Sequence, residues 1–281
     1  MNLSLNFSPC PNDTFIFDAL VHHRIDSYGL DFTVYMADVE ELNQRVLQGM
    51  PDISKLSFNA YTKVYKDYVM LDAGAALGKG VGPLLICRPG NSLEKILNKT
   101  IAIPGINTTA AFLLNFAFGK SLNIKEMLFS DIENAVLSGE VDAGVIIHEN
   151  RFTYQDKGLI CLADLGLIWE EKTLMPVPLG GIVAKRSLGN EIISQVSQLI
   201  SSSVIYAWNN PLDAFPFIKQ HAQEMEEVVM RKHIALYVND FSVSLRQEGR
   251  RAIQKMFDTY GISTGNLPLV LPESLAQNSY L

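Results

Sequence analysis

One local pattern occurs twice in this chain, and it constrains the fold more than any other feature of the sequence. Residues 46–58 and residues 136–148 each contain the end of a predicted helix, a glycine, an aspartate and then an apolar strand. The same residues recur at the same places: Val46, Leu47, Gly49 and Asp52 correspond to Val136, Leu137, Gly139 and Asp142. Helix-to-strand units that recur along a chain are typical of α/β folds. The repeat therefore predicts two α/β lobes with similar local structure.

Hydrophobic periodicity extends this α/β pattern over most of the chain. The predicted strands cover residues 3–7, 30–37, 50–58, 69–77, 83–88, 100–103, 141–147 and 182–184. The predicted helices cover residues 15–21, 39–48, 59–65, 110–118, 131–137, 192–208, 212–221, 226–237 and 244–260. The return strand near residue 180 predicts that the first lobe is discontinuous. We assign residues 1–90 and 180–281 to a larger lobe and residues 91–179 to a smaller one.

Composition narrows the class of protein. The chain has 281 residues, of which 48% are hydrophobic and 19% are charged, and this balance is typical of a globular protein. The formal net charge is -7, and the lysines and arginines form no cluster, so no nucleic-acid partner is expected. No run of about 18 apolar residues appears, so we expect no transmembrane helix and no membrane partner.

The N-terminal residues and the spacing of the cysteines together predict the cellular compartment of the protein. The N-terminal residues contain neither a basic region nor a long apolar run, so no secretory signal is predicted. The three cysteines are widely spaced and have no histidine at metal-ligand spacing. We therefore expect a cytoplasmic protein with free thiols and without a bound metal.

A histidine follows the second strand of the internal repeat. His148 comes directly after the apolar run 145–147, and in an open α/β sheet ligands bind beyond the carboxyl ends of the strands. An imidazole titrates near neutral pH, which suits a catalytic base. A histidine that only bonds to nearby backbone is the alternative interpretation, and position alone does not decide between the two.

The internal repeat also predicts residues for a ligand cleft. It aligns Lys55, Leu56 and Ser57 with residues 145–147, so both groups stand at the carboxyl ends of their strands. If the lobes face each other, Lys55 to Ser57 and His148 line one cleft from opposite sides. A lysine that extends its ammonium into solvent is the alternative for Lys55.

Two predicted helix starts offer further polar groups. Thr108 and Thr109 precede the helix 110–118 and would add hydroxyl groups and backbone amides to the cleft. Asn12, Asp13 or Thr14 is predicted to cap the first helix. Helix capping is also the alternative interpretation for both threonines.

Two other groups of residues are interpreted as structural. Gly78, Gly80 and Gly82 lack the spacing of a phosphate-binding loop, and we interpret them as a flexible connection. The remaining histidines lie near helix ends or in a polar helical stretch and are interpreted as surface or helix-end residues: His22, His23, His221 and His233.

Four segments together carry a resemblance to a known family: Ser8-Pro9-Cys10-Pro11-Asn12-Asp13-Thr14-Phe15, Lys55-Leu56-Ser57, Asn107-Thr108-Thr109-Ala110 and Ile147-His148-Glu149. The chain resembles the 1,4-dihydroxy-6-naphthoate synthases of the futalosine route to menaquinone over nearly its full length. The resemblance implies a two-lobed periplasmic-binding-protein type II fold with a central cleft. It implies a carbon-carbon lyase that converts cyclic dehypoxanthine futalosine into 1,4-dihydroxy-6-naphthoate and dihydroxyacetone.

The resemblance also assigns roles to the candidate residues. It implies that His148 is the base and that the substrate, a small carboxylate, contacts Lys55, Leu56, Ser57, Thr108 and Thr109. The product gains aromatic stabilisation, so one base and correct positioning suffice, and no metal or organic cofactor is expected. Two alternatives remain open, namely a chorismate dehydratase-like enzyme of the same pathway and a non-enzymatic binding protein. The sequence does not indicate the oligomeric state.

Overall fold

Short apolar strands alternate with helices over the first two thirds of the chain, and helices dominate the rest. The computed structural model describes residues 1–222 and 226–272. Its strands are Asn2–Phe7 (β1), Asp31–Met36 (β2), Ile53–Ser57 (β3), Tyr68–Met70 (β4), Ala76–Gly78 (β5), Leu84–Cys87 (β6), Thr100–Ile103 (β7), Asn123–Glu126 (β8), Ala143–Ile146 (β9), Ile160–Asp164 (β10) and Val177–Lys185 (β11).

The helices vary from single turns to long amphipathic elements. They are Pro11–Val21 (α1), Val39–Leu47 (α2), Phe58–Val64 (α3), Leu93–Ile96 (α4), Thr109–Phe118 (α5), Ile132–Ser138 (α6), Asn150–Thr153 (α7), Leu165–Thr173 (α8), Asn190–Asn209 (α9), Pro211–His221 (α10), Glu227–Tyr237 (α11), Asp240–Val243 (α12) and Arg246–Thr259 (α13). Short 3₁₀ helices cover Phe129–Asp131 and Arg186–Leu188. The α/β class predicted from the sequence is confirmed.

The chain divides into two compact units. The larger unit contains Met1–Gly78 and Pro178–Leu281, and the smaller unit contains Lys79–Val177. The first boundary lies after residue 78, whereas the sequence predicts it after residue 90. The difference arises because β6 pairs with β9 and β10 and so completes the sheet of the smaller unit. Such long-range pairing has no local signal in the sequence.

The larger unit is built on a sheet with the strand order β2-β1-β3-β11-β4, and β5 pairs with β11. Strands β1, β2 and β3 are parallel, whereas β11 runs antiparallel to β3 and β4. Helix α1 packs against α9, α10 and α11. The core joins both segments of the unit, because the fully buried Leu5 and Phe17 belong to the same cluster as Val196 and Ile200.

The smaller unit has its own sheet with the order β10-β6-β9-β7-β8. Strand β7 is parallel to β8 and β9, and β6 is antiparallel to β9 and β10. Helix α6 ends at Gly139 in the left-handed conformation, which glycine adopts without steric cost. The hydrophobic core of the smaller unit lies between the sheet and this helix and includes Ile86, Ala102, Ile132 and Val136.

Two expectations about local structure in the larger unit are wrong. The predicted strand 69–77 is two strands, because Gly74 turns the chain at φ 83° and a Cβ atom there would lie 2.0 Å from Cδ1 of Ile182. Helix α1 begins earlier than predicted, at Pro11, and no side chain caps it. Proline is common at the first helical position because its ring fixes φ near the helical value and it has no N–H group that needs a hydrogen-bond partner. Asn12, Asp13 and Thr14 therefore lie inside the first turn rather than before it.

The glycine-rich connection, predicted to be flexible, makes a close backbone contact at Gly82. A Cβ atom on Gly82 would lie 2.2 Å from Cα of Gly166, and one on Gly166 would lie 2.5 Å from Cα of Gly82. The two backbones are therefore in direct contact inside the smaller unit. Gly82 is required for this close approach.

Candidate functional site

Lys55 is buried, and its ammonium group is paired. The side chain projects from β3, and the residue is only 6% exposed. Its Nζ lies 2.9 Å from Oδ1 of Asp13 and donates to the carbonyl oxygen of Gly74 at 3.1 Å. A solvent-directed lysine, the alternative left open by the sequence, is therefore wrong. An ammonium has three N–H donors, and within the described chain these two groups are its partners.

Asp13 accepts hydrogen bonds from a set of buried donors. Ser8 donates to its Oδ2 through Oγ at 2.7 Å and through the backbone N–H at 3.2 Å. Asn12 donates to its Oδ1 at 2.9 Å. Asp13 is 1% exposed, and a buried carboxylate is tolerated only when such donors and a cation compensate for its lost hydration. Ser8 and the first turn of α1 thus form a carboxylate site for Lys55.

Ser57 is held by an amide side chain of α2. Its backbone N–H donates to Oδ1 of Asn43 at 2.8 Å, and Nδ2 of Asn43 donates to the serine Oγ at 3.1 Å. Asn43 is completely buried, on the same helix face as Leu42 and Val46. Asn43 was not predicted from the sequence, although a polar residue between two core positions of an amphipathic helix is a signal that can identify it.

Leu56 differs from its two neighbours on β3. Side chains alternate along a strand, so Lys55 and Ser57 project from one face of the sheet and Leu56 projects from the other. The Leu56 side chain is completely buried, and its backbone pairs with Gly181 of β11. A ligand on the lysine face can therefore reach Leu56 only through its main chain.

Thr108 and Thr109 begin α5, as predicted. The Thr108 hydroxyl accepts from the backbone N–H of Ala111 at 3.2 Å and donates to the carbonyl of Gly105 at 2.7 Å, so Thr108 caps the helix. Thr109 is the first residue of the helix and is 3% exposed. The positive end of the helix dipole and the first-turn amides favour an anion or a polarised carbonyl here.

His148 lies beyond the end of β9 with a backbone that few residues adopt. Its φ is 56°, in the left-handed region where asparagine, aspartate and histidine are the commonest residues after glycine. The imidazole is half-buried and packs edge-on against Phe129, with ring centroids 5.0 Å apart. This histidine follows a buried strand, as the sequence predicts.

The segment around His148 is anchored by buried polar contacts. Asn150 donates to Oε2 of Glu133 at 2.6 Å, and Lys157 pairs with the same oxygen at 2.6 Å. Glu133 is 1% exposed and lies one helical turn after Phe129. Arg151 pairs with Asp164 at 3.1 Å. These contacts fix the chain on the C-terminal side of the imidazole.

His233 is not a surface residue, contrary to the sequence analysis. It is completely buried in α11, and its Nε2 lies 2.9 Å from Oδ1 of Asn12. His22, by contrast, is exposed at the end of α1 and pairs with Asp18 at 2.9 Å. A polar helical sequence hid the burial of His233, because its partner stands 221 residues earlier in the chain.

The three cysteines differ in burial, and two of their thiols have a raised pKa. No disulfide joins Cys10, Cys87 and Cys161, and burial raises the pKa of Cys87 and, with a smaller effect from Asp164, that of Cys161. No group of three metal-binding side chains was found among residues 1–222 and 226–272. In those same ranges no helix is long and apolar enough to cross a bilayer.

Several solved structures share this fold. A crystal structure of an Archaeoglobus fulgidus protein matches with a TM-score of 0.86 and 30% identity, over 92% of this chain and 98% of that chain. The alkanesulfonate-binding protein of Xanthomonas axonopodis pv. citri matches with a TM-score of 0.68 and 14% identity, over 92% of both chains. A Candida albicans protein with the generic periplasmic-binding-protein fold matches with a TM-score of 0.65 and 11% identity, over 94% of this chain and 92% of that chain. The predicted periplasmic-binding-protein-like fold is confirmed.

Curated relatives and a family model agree with the resemblance found in the sequence. The 1,4-dihydroxy-6-naphthoate synthase of Thermus thermophilus is 44% identical over 255 residues, which cover 91% of this chain and 92% of that protein. The enzyme of the same name from Streptomyces coelicolor is 39% identical over 280 residues, which cover 98% of both. A model of the menaquinone-biosynthesis family matches residues 3–261. These matches span both units and all the candidate site residues, so the chain belongs to the menaquinone-biosynthesis family.

Proposed function

We propose that this protein is a carbon-carbon lyase that converts cyclic dehypoxanthine futalosine into 1,4-dihydroxy-6-naphthoate and dihydroxyacetone. The observation that carries the proposal is the identity of 39–44% to two proteins named 1,4-dihydroxy-6-naphthoate synthase, over more than nine tenths of the chain. The substrate is then a small-molecule carboxylate. We expect a cytoplasmic enzyme, because its relatives are named as biosynthetic enzymes.

His148 is the proposed catalytic base. An imidazole whose ordinary pKa lies near neutrality transfers protons effectively at physiological pH. The edge-on packing against Phe129 and the anchored segment that follows support this role, because a base needs a fixed orientation. Loss of a proton from the substrate starts the cleavage, and the aromatic ring of the product favours it.

The proposed substrate contacts divide by chemistry. Two N–H groups of the Lys55 ammonium bond to Asp13 and Gly74, and the third binds the substrate carboxylate. The Ser57 hydroxyl adds a hydrogen bond to the substrate. Leu56 contributes through its main chain, because its side chain is buried on the other face of the sheet. Thr108 and Thr109, at the positive end of the α5 dipole, are the proposed contacts for an oxygen atom of the substrate.

The proposed reaction requires no metal or organic cofactor. Aromatisation of the product supplies the driving force, and the cleavage needs a base together with groups that hold the carboxylate and stabilise developing negative charge. The residues proposed for these tasks are His148, Lys55 and the first turn of α5.

Substrate turnover tests the function directly. The purified protein is incubated separately with cyclic dehypoxanthine futalosine and with chorismate, and the products are separated by chromatography. We expect 1,4-dihydroxy-6-naphthoate and dihydroxyacetone in equal amounts from the first compound and no reaction of the second. Failure to convert cyclic dehypoxanthine futalosine would contradict the proposal, and turnover of chorismate would assign the sister reaction.

The substitution His148→Asn tests the base. Asparagine tolerates the left-handed backbone of this position, so folding is retained while the proton acceptor is lost. We expect kcat to fall by about 10²- to 10⁴-fold, the usual contribution of a general base, with little change in the melting temperature. The matched control is His221→Asn at the end of α10, which should keep wild-type kcat. Full activity of His148→Asn would eliminate His148 as the base.

A further inference from the structure

The segment Ser8-Pro9-Cys10-Pro11-Asn12-Asp13 has no task in the proposed reaction, yet its polar side chains are buried. Ser8, Asn12 and Asp13 are between 1% and 5% exposed. Their contacts form a continuous chain that begins at His233, passes through Asn12 and Asp13, and ends at the ammonium of Lys55. We call this chain of contacts the relay. It lies entirely within the larger unit.

The orientation of the Asn12 amide is determined by its two neighbours. An ionised carboxylate only accepts hydrogen bonds, so the amide must present Nδ2 to Asp13, where it donates at 2.9 Å. Its Oδ1 then faces Nε2 of His233 at 2.9 Å. Because Oδ1 is an acceptor, Nε2 of His233 must carry a proton. His233 thereby prevents the amide from turning its oxygen toward the carboxylate.

Asp13 transmits this orientation to Lys55. The same oxygen, Oδ1, accepts from Asn12 and pairs with Nζ of Lys55 at 2.9 Å, while Oδ2 accepts from Ser8. A carboxylate that is held at both oxygens cannot rotate, so it fixes the direction of the lysine N–H bonds. The carbonyl of Gly74 fixes a second N–H at 3.1 Å. The direction of the third N–H is then determined by tetrahedral geometry.

We infer that His233, Asn12 and Asp13 are positioning residues that aim the remaining N–H of Lys55 at the carboxylate of the substrate. This inference rests on the proposed function, in which Lys55 binds that carboxylate. It assigns a task to the segment Ser8–Asp13 and to a buried histidine on α11. The relay acts on recognition of the carboxylate and does not take part in proton removal.

The test compares two ligands of similar shape, one with a carboxylate and one with a neutral carboxamide. Affinities are measured by calorimetry for 1,4-dihydroxy-6-naphthoate, kept under anaerobic conditions, and for its neutral 6-carboxamide. The wild-type protein should prefer the carboxylate. In His233→Phe, which keeps a ring of similar size but loses the N–H donor, we expect this preference to fall by about 10-fold, the loss associated with one hydrogen bond in a charged network. The affinity for the carboxamide should remain unchanged.

Rescue and control variants separate positioning from stability. His233→Gln retains an N–H donor and should restore most of the preference for the carboxylate, whereas His221→Phe, the same chemical change outside the relay, should leave it unchanged. In turnover, His233→Phe should raise KM with little effect on kcat.

Equal weakening of the binding of both ligands in His233→Phe would indicate a purely structural residue and overturn the inference. If that variant does not fold, Ser8→Ala removes a single donor to Asp13 and should lower the same preference by a smaller factor.

A double variant distinguishes failure of the inference from failure of the proposed function. Asp13→Asn combined with Lys55→Gln removes both charges and keeps the site neutral. If it still prefers the carboxylate, Lys55 does not bind that group, and both the proposed contact and the relay fall. If the double variant loses the preference while His233→Phe keeps it, the inference alone is wrong.

Discussion

At the residue scale, Asn43 shows how one buried amide sets the geometry of a proposed substrate contact. Its side chain satisfies both the backbone N–H and the hydroxyl of Ser57. Replacement by leucine keeps the size but leaves the buried N–H without an acceptor, which costs about 1–3 kcal/mol. We expect Asn43→Leu to lower the free energy of unfolding by this amount, measured by urea denaturation, and to raise KM because the Ser57 hydroxyl loses its fixed orientation.

The same helix provides a matched control for Asn43→Leu. Gln44 is the next residue of α2, is exposed, and donates to Glu40 at 2.9 Å on the surface. Gln44→Leu makes the same amide-to-apolar change, and a solvent-exposed contact of this kind contributes only a few tenths of a kcal/mol. Equal losses of stability in the two variants would show that the buried contact to Ser57 contributes no more to stability than the surface contact of Gln44.

Sequence patterns locate some of these residues and miss others for a definite physical reason. His148, Lys55 and Ser57 follow from the positions of strands, which apolar periodicity reveals. The roles of Asp13 and His233 depend on hydrogen bonds between groups that are distant in the chain. A local pattern contains no information on such pairs, so Asp13 was interpreted as a helix cap and His233 as a surface residue.

At the element scale, the contact between Gly82 and Gly166 joins the segment before β6 to the start of α8. A methyl group on Gly82 would stand 2.2 Å from a backbone atom, and backbone cannot move aside as a flexible side chain does. Overpacking of this kind typically costs about 1–3 kcal/mol, and more where backbone must shift. We expect Gly82→Ala to lower the melting temperature of the protein by several degrees in calorimetry.

Gly249 offers the matched control for Gly82→Ala. It lies within α13, where an added Cβ atom would meet only side-chain atoms, the nearest being Cδ2 of Leu245 at 3.0 Å. Alanine also stabilises a helix by about 1 kcal/mol relative to glycine. Gly249→Ala should therefore change stability little or improve it. A larger loss at Gly249 than at Gly82 would contradict the importance assigned to the backbone contact.

The strands themselves were predictable where burial dictates their composition. Strand β7 has the predicted bounds, Thr100–Ile103, because three of its four residues are buried and apolar. Strand β8 was not predicted, since its sequence Asn-Ile-Lys-Glu is polar and mostly exposed. It forms at the edge of the sheet through hydrogen bonds to β7. Such a strand depends on its neighbour rather than on its own hydrophobic pattern.

At the scale of the whole molecule, the two units use the chain in different ways. The sheet of the smaller unit is assembled from β6 to β10, which lie within the continuous segment Lys79–Val177. The larger unit needs both of its segments, because β11 stands between β3 and β4 and α1 packs against α9, α10 and α11. The internal repeat correctly indicated two α/β lobes, but repeat patterns do not reveal which strands complete each sheet.

This difference predicts that only one contiguous piece of the chain folds by itself. A fragment of residues 79–177 keeps every strand of its sheet and the core around Ile86, Ile132 and Val136, and segments of about 100 residues with their own core can fold alone. We expect it to unfold cooperatively in thermal circular dichroism and to give dispersed amide signals in NMR. The matched fragment 1–78 lacks β11 and the helices that cover α1, so it should remain unfolded. A non-cooperative 79–177 fragment would show that its core is insufficient without the rest of the chain.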